Sequence, residues 1–552
     1  MSMAPLAALE RMRLTFGAGV AERRLSLLQS ADRTRLATAG QVRRLHELLC
    51  FIRAYPDDAR ILAQAERMLG HFSARGDLRA HRAALADSGI AGTAIHYRFF
   101  HAQAQWLADR WPSRLSLDRS NTEAAARVAR ALPLLVTPAE SQALTESRLP
   151  AYEAIDRLRD RRTGDAEFLL RRIAAMPGDM FTREAFSDAI DASFVLDGAA
   201  DTPSRTAAVF DAAPRSLESP GPVRGRPDLR AQLLRSPHSV CRLPAHDGAE
   251  LADLARGAML TRARALAAFS YADARDAWLV DDGDGLAFAL SGVVPERRQA
   301  VAATYGGLTL RNRVPIGYLQ ADIVGSSAAI SFNTFETFRG GEAAFTFARL
   351  LATMHHVFGS RSFTIEPYQL GQDNEEGLES GAWWFYFRLG FRPRDRSTSA
   401  LARSELARVE RRAGHRSSLR TLQRLAERHL FFEIDPRRPH PLPPLARLGL
   451  RAGGRMSMHA GAERERAVAE ASAELARRCG LASLASFTRD ERQAWERIAP
   501  IAVLLDLERW SRAERAALVA LIRAKGGRSE RSFVKAHVEH PRLDAALIEA
   551  AK

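Results

Sequence analysis

The sequence predicts an α+β protein in which a central sheet-containing region lies between mainly helical N-terminal and C-terminal regions. Residues 4–194, and again those from 397 onward, place apolar side chains every three or four positions, which is the spacing of amphipathic helices. The region between them has short apolar runs separated by Asp-Gly, Gly-Gly and Gly-Ser pairs, which are typical of strands joined by tight turns. These runs predict an antiparallel meander with strands at 278–280, 286–290, 306–310, 314–323 and 328–334.

The helical pattern is clear near residue 50. The stretch Tyr55-Pro56-Asp57-Asp58 stops the helix predicted over 42–54 and offers a cap for a new helix from residue 59. The buried face of the first of these helices would carry Leu45, Leu48, Leu49 and Ile52.

The domain organisation follows from changes in composition along the chain. One segment is rich in proline, glycine, serine and arginine, which predicts a linker or an irregular excursion over a surface. The segments are a helical domain (1–196), this linker or excursion (197–248), the sheet-containing domain (249–395) and a basic helical domain (396–552).

Composition bounds the class of protein. The chain has 552 residues, of which 46% are hydrophobic and 26% charged, so we expect several globular domains rather than a disordered chain. Its net charge of +15 favours contact with polyanions, and most of the excess lies in residues 401–552. However, all basic residues except Lys525, Lys535 and Lys552 are arginines, which indicates a bias of the whole chain rather than a local phosphate-binding patch.

The cysteines and histidines do not predict a disulfide framework or a metal site. Cys50, Cys241 and Cys479 are far apart and have no CxxC spacing, so buried free thiols are expected. His355 and His356 are adjacent and cannot share a helix face. The N-terminus has no long apolar core and the longest apolar run is short, so we expect a cytoplasmic protein without a membrane span.

A glycine turn follows the last predicted strand. Gly340 and Gly341 stand where the strand ends, and a helix with a clear apolar face begins near Glu342. The exposed amides at a helix N-terminus carry about half a positive charge and bind anions, and Arg339 would add a charged hydrogen bond. Plain turn geometry is the alternative explanation, because glycines are common in turns and Glu342 would oppose an anion.

An aromatic helix is predicted shortly afterwards. Residues 362–366 alternate like a short strand that ends at Pro367, and residues 381–393 read GAWWFYFRLGFRP. We expect Pro393 to prevent continuation of this helix.

This order of elements resembles the GNAT superfamily of acyl-CoA-dependent N-acyltransferases, over residues 249–395. In that family a strand leads to an Arg/Gln-x-x-Gly-x-Gly/Ala turn that holds the cofactor pyrophosphate, and a later helix ends in Tyr-x-x-x-Gly-Phe. The second signature matches Tyr386 to Phe391. The turn matches Arg339, Gly340, Gly341, Glu342, Ala343 and Ala344, with Glu342 in place of a glycine.

The resemblance implies a GNAT-like mixed sheet, acetyl-CoA or another acyl-CoA as co-substrate, and direct attack by an amine in a ternary complex. It further implies that Trp383, Phe385 and Phe387 pack into the core while Tyr386 faces the cofactor sulfur. It also implies that Gly390 caps this helix at its C-terminus. The family's asparagine before this helix is replaced by Glu379, and the additional residues 372–377 could supply polar groups instead.

Acyl transfer to an amine requires a base for the amine and an acid for the leaving thiolate. Tyr386 suits the acid, and Glu375 or Glu376 suits the base. Each also has a structural explanation, since a tyrosine in an aromatic helix commonly packs and glutamates in a polar loop are commonly solvated. Asp322 and Asn333 on the neighbouring strands are expected to be structural.

Three functions therefore stay open at the level of sequence. The first is an N-acyltransferase for a small-molecule or peptide amine. The second is a GNAT-like scaffold or binding protein without turnover, which the replacements at Glu342 and Glu379 favour. The third, least supported, is nucleic-acid binding by the C-terminal helices, with its best cluster at Arg411, Arg412, Arg416 and Arg420.

Overall fold

The computed structural model describes residues 5–17, 19–217, 221–412, 414–437, 439–440 and 442–552. The chain forms two compact units whose segments alternate in sequence. Unit 1 comprises Met1–Pro222, Ala249–Tyr271 and Arg311–Pro315, and unit 2 comprises Val223–Gly248, Ala272–Leu310 and Ile316–Lys552. The four segments predicted from composition do not coincide with these units, because the C-terminal helices share a unit with the large sheet.

The N-terminal part is mainly helical, as predicted. Its helices are α1 (Pro5–Arg11), α2 (Val20–Arg33), α3 (Ala39–Ala54), α4 (Ala59–Gly70), α5 (Gly76–Ala80), α6 (His101–Arg110), α7 (Thr122–Leu135), α8 (Pro138–Ser147), α9 (Ala151–Leu158), α10 (Asp165–Ala174) and α11 (Met180–Ile190). A three-stranded antiparallel sheet that the sequence did not indicate joins them, with β1 (Ile95–Tyr97), β2 (Leu115–Leu117) and β3 (Phe194–Leu196) in the order β1-β3-β2.

Helices α3 and α4 confirm the predicted pattern. The apolar face of α3 is buried, and Asp58 caps α4 by accepting hydrogen bonds from the amides of Arg60 and Ile61. The core of unit 1 also includes Leu260, which comes from a later segment of the chain.

The middle of the chain contains most of the large sheet. The elements from residue 229 to 365 are α12 (Leu229–Leu234), β4 (Ser239–Arg242), α13 (Ala245–Leu260), α14 (Ala267–Ser270), β5 (Ala272–Gly283), β6 (Leu286–Val293), β7 (Ala303–Arg311), β8 (Val314–Val324), β9 (Ser327–Thr334), α15 (Ala343–Phe358) and β10 (Ser362–Ile365). Of the cysteines that were expected to be buried, Cys241 on β4 is exposed.

The remaining elements are mainly helical. They are α16 (Pro367–Leu370), α17 (Glu375–Glu379), α18 (Ala382–Arg388), α19 (Arg396–Arg411), α20 (Leu419–Ala426), β11 (Leu430–Glu433), α21 (Leu445–Ala460), α22 (Arg464–Arg478), α23 (Arg489–Ala502), α24 (Arg512–Lys525), α25 (Glu530–Glu539) and α26 (Leu543–Ala550). Short 3-10 turns lie at Phe72–Ala74, Ala83–Leu85, Pro295–Arg297, Glu336–Phe338 and Leu507–Arg509. Among the described residues, no helix has both the length and the apolarity that crossing a bilayer requires.

The large sheet has eight strands in the order β11-β10-β9-β8-β7-β6-β5-β4, which confirms the α+β class and the predicted meander. Strands β9 and β10 are parallel and are connected through α15, whereas β10 and β11 are antiparallel, so the sheet is mixed. The parallel ladder pairs Ser362 with Ser327 and ends where Thr364 meets Ala329, while β9 continues to Thr334. The end of β9 that leads to the glycine turn therefore extends beyond its pairing with β10.

A buried polar cluster attaches the C-terminal helices to this sheet. The fully buried Asp276 on β5 accepts hydrogen bonds from the Tyr305 hydroxyl (2.8 Å), the Ser529 hydroxyl (2.6 Å) and the Glu530 amide (2.9 Å). Burial, and then the charge of Asp276, raise the pKa of Tyr305, so its phenol remains a donor. Lys525 forms a buried ion pair with Glu530 beside this cluster. Since buried polar groups are stabilising only when they are bonded, the cluster fixes where α24 and α25 meet the sheet.

Candidate functional site

The glycine turn lies between β9 and α15. Gly340 has φ of +82°, a conformation that favours glycine, and a side chain there would meet nothing within 4 Å. Helix α15 begins at Ala343, one residue after the predicted start. The amides of Ala343, Ala344 and Phe345 occupy its first turn and therefore have no acceptor within the helix. All three residues are half-buried, so these donors lie close to the protein surface.

Arg339 precedes this turn and is held by three acceptors. Its guanidinium donates to the carbonyl of Thr334 (3.1 Å) and to the side-chain oxygen of Asn333 (3.4 Å), and it forms an ion pair with Glu376. The side chains of Arg339 and Glu376 are both half-exposed. The structure thus brings together the predicted phosphate-binding arginine and one of the two predicted bases.

Glu342 is almost completely buried, at 3% exposure. It is the N-cap residue of α15 but its side chain does not cap the helix; its carboxylate accepts a hydrogen bond from the amide of Val223 (3.2 Å). Its φ of −117° is an ordinary value, so the backbone does not require the glycine that the GNAT pattern has here. Glu342 therefore connects the turn to the start of the first segment of unit 2.

The additional residues before the aromatic helix form a short helix of their own. Asn374 caps α17 by accepting from the amide of Gly377 (3.2 Å). Glu376 in the first turn of α17 reaches Arg339, whereas Glu375 is exposed and has no ion pair among the described residues. Of the two candidate bases, the fold therefore places only Glu376 beside the glycine turn.

Helix α18 buries its aromatic residues in a different pattern from the one that the resemblance implied. Trp383 and Phe387 are buried and stack with ring centroids 4.9 Å apart, as expected. Phe385 is only half-buried, whereas Tyr386 is 3% exposed. Burial raises the pKa of Tyr386 above its usual value, so the phenol stays protonated.

The prediction that Gly390 ends α18 is confirmed. Its φ is +109°, and its amide donates to the backbone carbonyl of Phe387. The next amide, of Phe391, donates to the backbone carbonyl of Tyr386. These two bonds form a Schellman motif, which requires a left-handed residue at this position.

Phe347 connects the parts of the candidate site. It lies one turn inside α15. The centroid of its ring is 5.4 Å from that of Phe332 on β9, 5.2 Å from that of Tyr386 and 5.9 Å from that of Phe391. Phe347 therefore lies between the Tyr386 ring and the part of β9 beyond the parallel ladder, and it also links Tyr386 to the N-terminal part of α15.

The polar residues on the neighbouring strands are bonded within the protein. Asp322 accepts from Thr304 (2.5 Å) and from Gln320 (2.9 Å), while Asn333 holds Arg339. These contacts agree with the structural roles that were expected for Asp322 and Asn333.

Comparison with protein-family models gives no match, and neither curated proteins nor solved structures give one.

Proposed function

We propose that unit 2 is an acyl-CoA-dependent N-acyltransferase, with the acyl donor bound at the glycine turn. The observation that carries the proposal is the order strand, glycine turn, helix and parallel strand formed by β9, α15 and β10, with β9 extending beyond the ladder. That arrangement leaves the first amides of α15 beside the end of β9, which pairs with β8 but not with β10, so a diphosphate and an extended chain could bind together there.

The charges around the turn support an anionic ligand. The amides of the first helical turn and the helix dipole attract a phosphate, and Arg339 lies beside them. Arg339 already has a carboxylate partner in Glu376, but an exposed pair of this kind contributes only about 0–1 kcal/mol. A diphosphate carries more charge than one carboxylate and would displace Glu376 from Arg339.

The same exchange would prepare the reaction. Glu376, once displaced, becomes a carboxylate that can accept the proton of the acceptor amine through water, because the pantetheine arm separates the diphosphate from the thioester. The amine nitrogen attacks the thioester carbonyl, the carbon–sulfur bond breaks, and the departing thiolate takes a proton from the Tyr386 phenol. The acceptor is an amine, and the acyl group is acetyl in the simplest case.

A scaffold or binding role without turnover is the second candidate. The buried carboxylate of Glu342 favours it, because a negative charge behind the helix N-terminus opposes a diphosphate. The depth of Tyr386 in the aromatic core favours it as well. Nucleic-acid binding remains the third candidate, and it is supported only by the exposure of Arg411, Arg412, Arg416 and Arg420.

Acetyl-CoA is expected to stabilise unit 2 against unfolding. At about 100 times its dissociation constant, a ligand adds about 2.7 kcal/mol, and hydrogen exchange of the peptide spanning 339–346 should slow in parallel. Arg339→Ala should remove most of this stabilisation, whereas Arg388→Ala, which removes an exposed arginine at the end of α18, should leave it intact. If neither acetyl-CoA nor a longer acyl-CoA stabilises the protein, the transferase proposal fails and the scaffold candidate gains.

Glu376→Gln is expected to tighten binding of coenzyme A about two- to fivefold, because it removes the carboxylate that competes for Arg339. Calorimetric titration measures this change. The matched variant is Glu375→Gln, which alters the neighbouring exposed carboxylate and should bind as the unaltered protein does. Equal affinities for the two variants would contradict displacement of Glu376 by the ligand.

A further inference from the structure

Unit 1 contains a cavity of about 260 Å³, which is large enough for a small organic molecule. It lies beside the C-terminal end of α11 and next to β3. Its apolar wall is formed by side chains that are almost completely buried, namely Phe99, Leu169, Ile173, Ile190 and Phe194. Such a wall would exclude water from the apolar part of a ligand.

The charged residues at the mouth differ in their partners. Arg98 donates to Asp191 (2.6 Å), and Asp191 is also bound by Arg127 (3.1 Å), so Arg98 already has a carboxylate partner. Asp188 also lines the cavity, and among the described residues it takes part in no ion pair. Asp188 is exposed at this mouth, and burial and the charge of Asp191 raise its pKa although the backbone amide of His101 also donates to its carboxylate. Asp188 is therefore the carboxylate of the lining that has no arginine partner among the described residues.

The end of α11 adds to the negative potential. Asp188 lies in the last turn of this helix, where unpaired carbonyl groups attract cations. The turn is held in place because Asp191, at φ of +48°, donates its amide to the carbonyl of Ser187 and Arg127 binds the carbonyl of Ile190. The carboxylate is consequently presented by a fixed backbone rather than by an unsupported loop.

We propose that this cavity binds a small organic ammonium ion, with the ammonium group at Asp188 and an apolar group against the buried wall. Phe99 and Phe194 inside the cavity and Phe100 at its mouth, which is 40% exposed, offer aromatic faces that favour a cation over a neutral ligand. An anion would have only Arg98 to meet, and that side chain is bound to Asp191. The site belongs to unit 1 and does not depend on the proposed acyl transfer.

Calorimetric titration of the full-length protein with 2-phenylethylamine tests the proposal, with 2-phenylethanol as the neutral analogue and phenylacetate as the anionic one. We expect the amine to bind about tenfold more tightly than the alcohol, because only the amine forms a charge-assisted hydrogen bond. Phenylacetate should bind more weakly than either.

Variants locate the site. Asp188→Asn should lower the affinity for the amine to that of the alcohol, whereas Asp109→Asn, which changes an exposed aspartate at the far end of α6, should have no effect. Ser187→Leu should fill the mouth and abolish binding of all three compounds, with hydrogen exchange across α11 showing that the unit remains folded. The proposal would be overturned if the amine failed to bind at up to about 10 mM, or if it bound Asp188→Asn as tightly as the unaltered protein. Tighter binding of phenylacetate than of the amine would also overturn it.

Discussion

Replacing Asp276 by alanine is expected to destabilise unit 2 by about 3–5 kcal/mol, the largest effect of any substitution considered. Its carboxylate has no exposed surface and accepts hydrogen bonds from four donors: Tyr305, Trp278, Ser529 and the Glu530 amide. Removing it leaves the buried donors of Tyr305, Ser529 and Glu530 without this acceptor, and each such group costs about 1–3 kcal/mol before relaxation; Trp278 is only half-buried.

Urea unfolding, monitored by hydrogen exchange of the amides in β5 and α25, measures this loss of unfolding free energy. Glu410→Ala on α19 is the control, because Glu410 is exposed and its removal should change stability by less than about 0.5 kcal/mol. Similar stability of the two variants would show that the polar cluster does not hold the C-terminal helices to the sheet.

Acidification is expected to destabilise unit 1 through His46. This residue is 1% exposed, and burial, followed by the charges of Arg205 and Arg53, lowers its pKa to about 3. Thr206 accepts from the amide of Ala91 (2.9 Å), so its hydroxyl proton is available for Nε2 of a neutral imidazole at 2.8 Å.

The direction of the pH effect follows from proton binding. The imidazole of unfolded chains titrates near pH 6.5, so between about pH 6.5 and 3 the unfolded state binds more protons than the folded state, and stability falls as pH falls. Between pH 7.5 and 5 the loss should be about 2 kcal/mol.

Hydrogen exchange of α3 at the two pH values, corrected for the intrinsic rate, measures this loss. His46→Gln should make the stability of α3 less dependent on pH, whereas His71→Gln, at an exposed position after α4, should not. The same pH dependence in the unaltered protein and in His46→Gln would remove His46 as its source.

Features that depend on local sequence could be predicted. The apolar face of α3 follows from periodicity and the cap of α4 from a polar side chain before it, while the role of Gly390 was implied by the Tyr-x-x-x-Gly-Phe signature. Strands β1 to β3 were missed because three residues are too few to show an alternating pattern.

The candidate site was predictable only in part. The turn at Arg339 and Gly340 was expected, but its pairing with Glu376 and the bond from Glu342 to Val223 join residues far apart in sequence. Helical spacing alone also could not predict that Tyr386 is more deeply buried than Phe385. The burial of adjacent helical residues depends on which elements pack against each side of the helix.

The alternation of the two units along the chain has a consequence for biosynthesis. Unit 1 needs Leu260 for its core and includes Arg311–Pro315, so more than half of the polypeptide must leave the ribosome before this unit can close. Meanwhile the segment that begins at Val223 emerges long before its partners in unit 2. Nascent chains would therefore expose apolar surface for an extended period, and their maturation should depend on chaperones more than that of proteins whose domains follow one another in order.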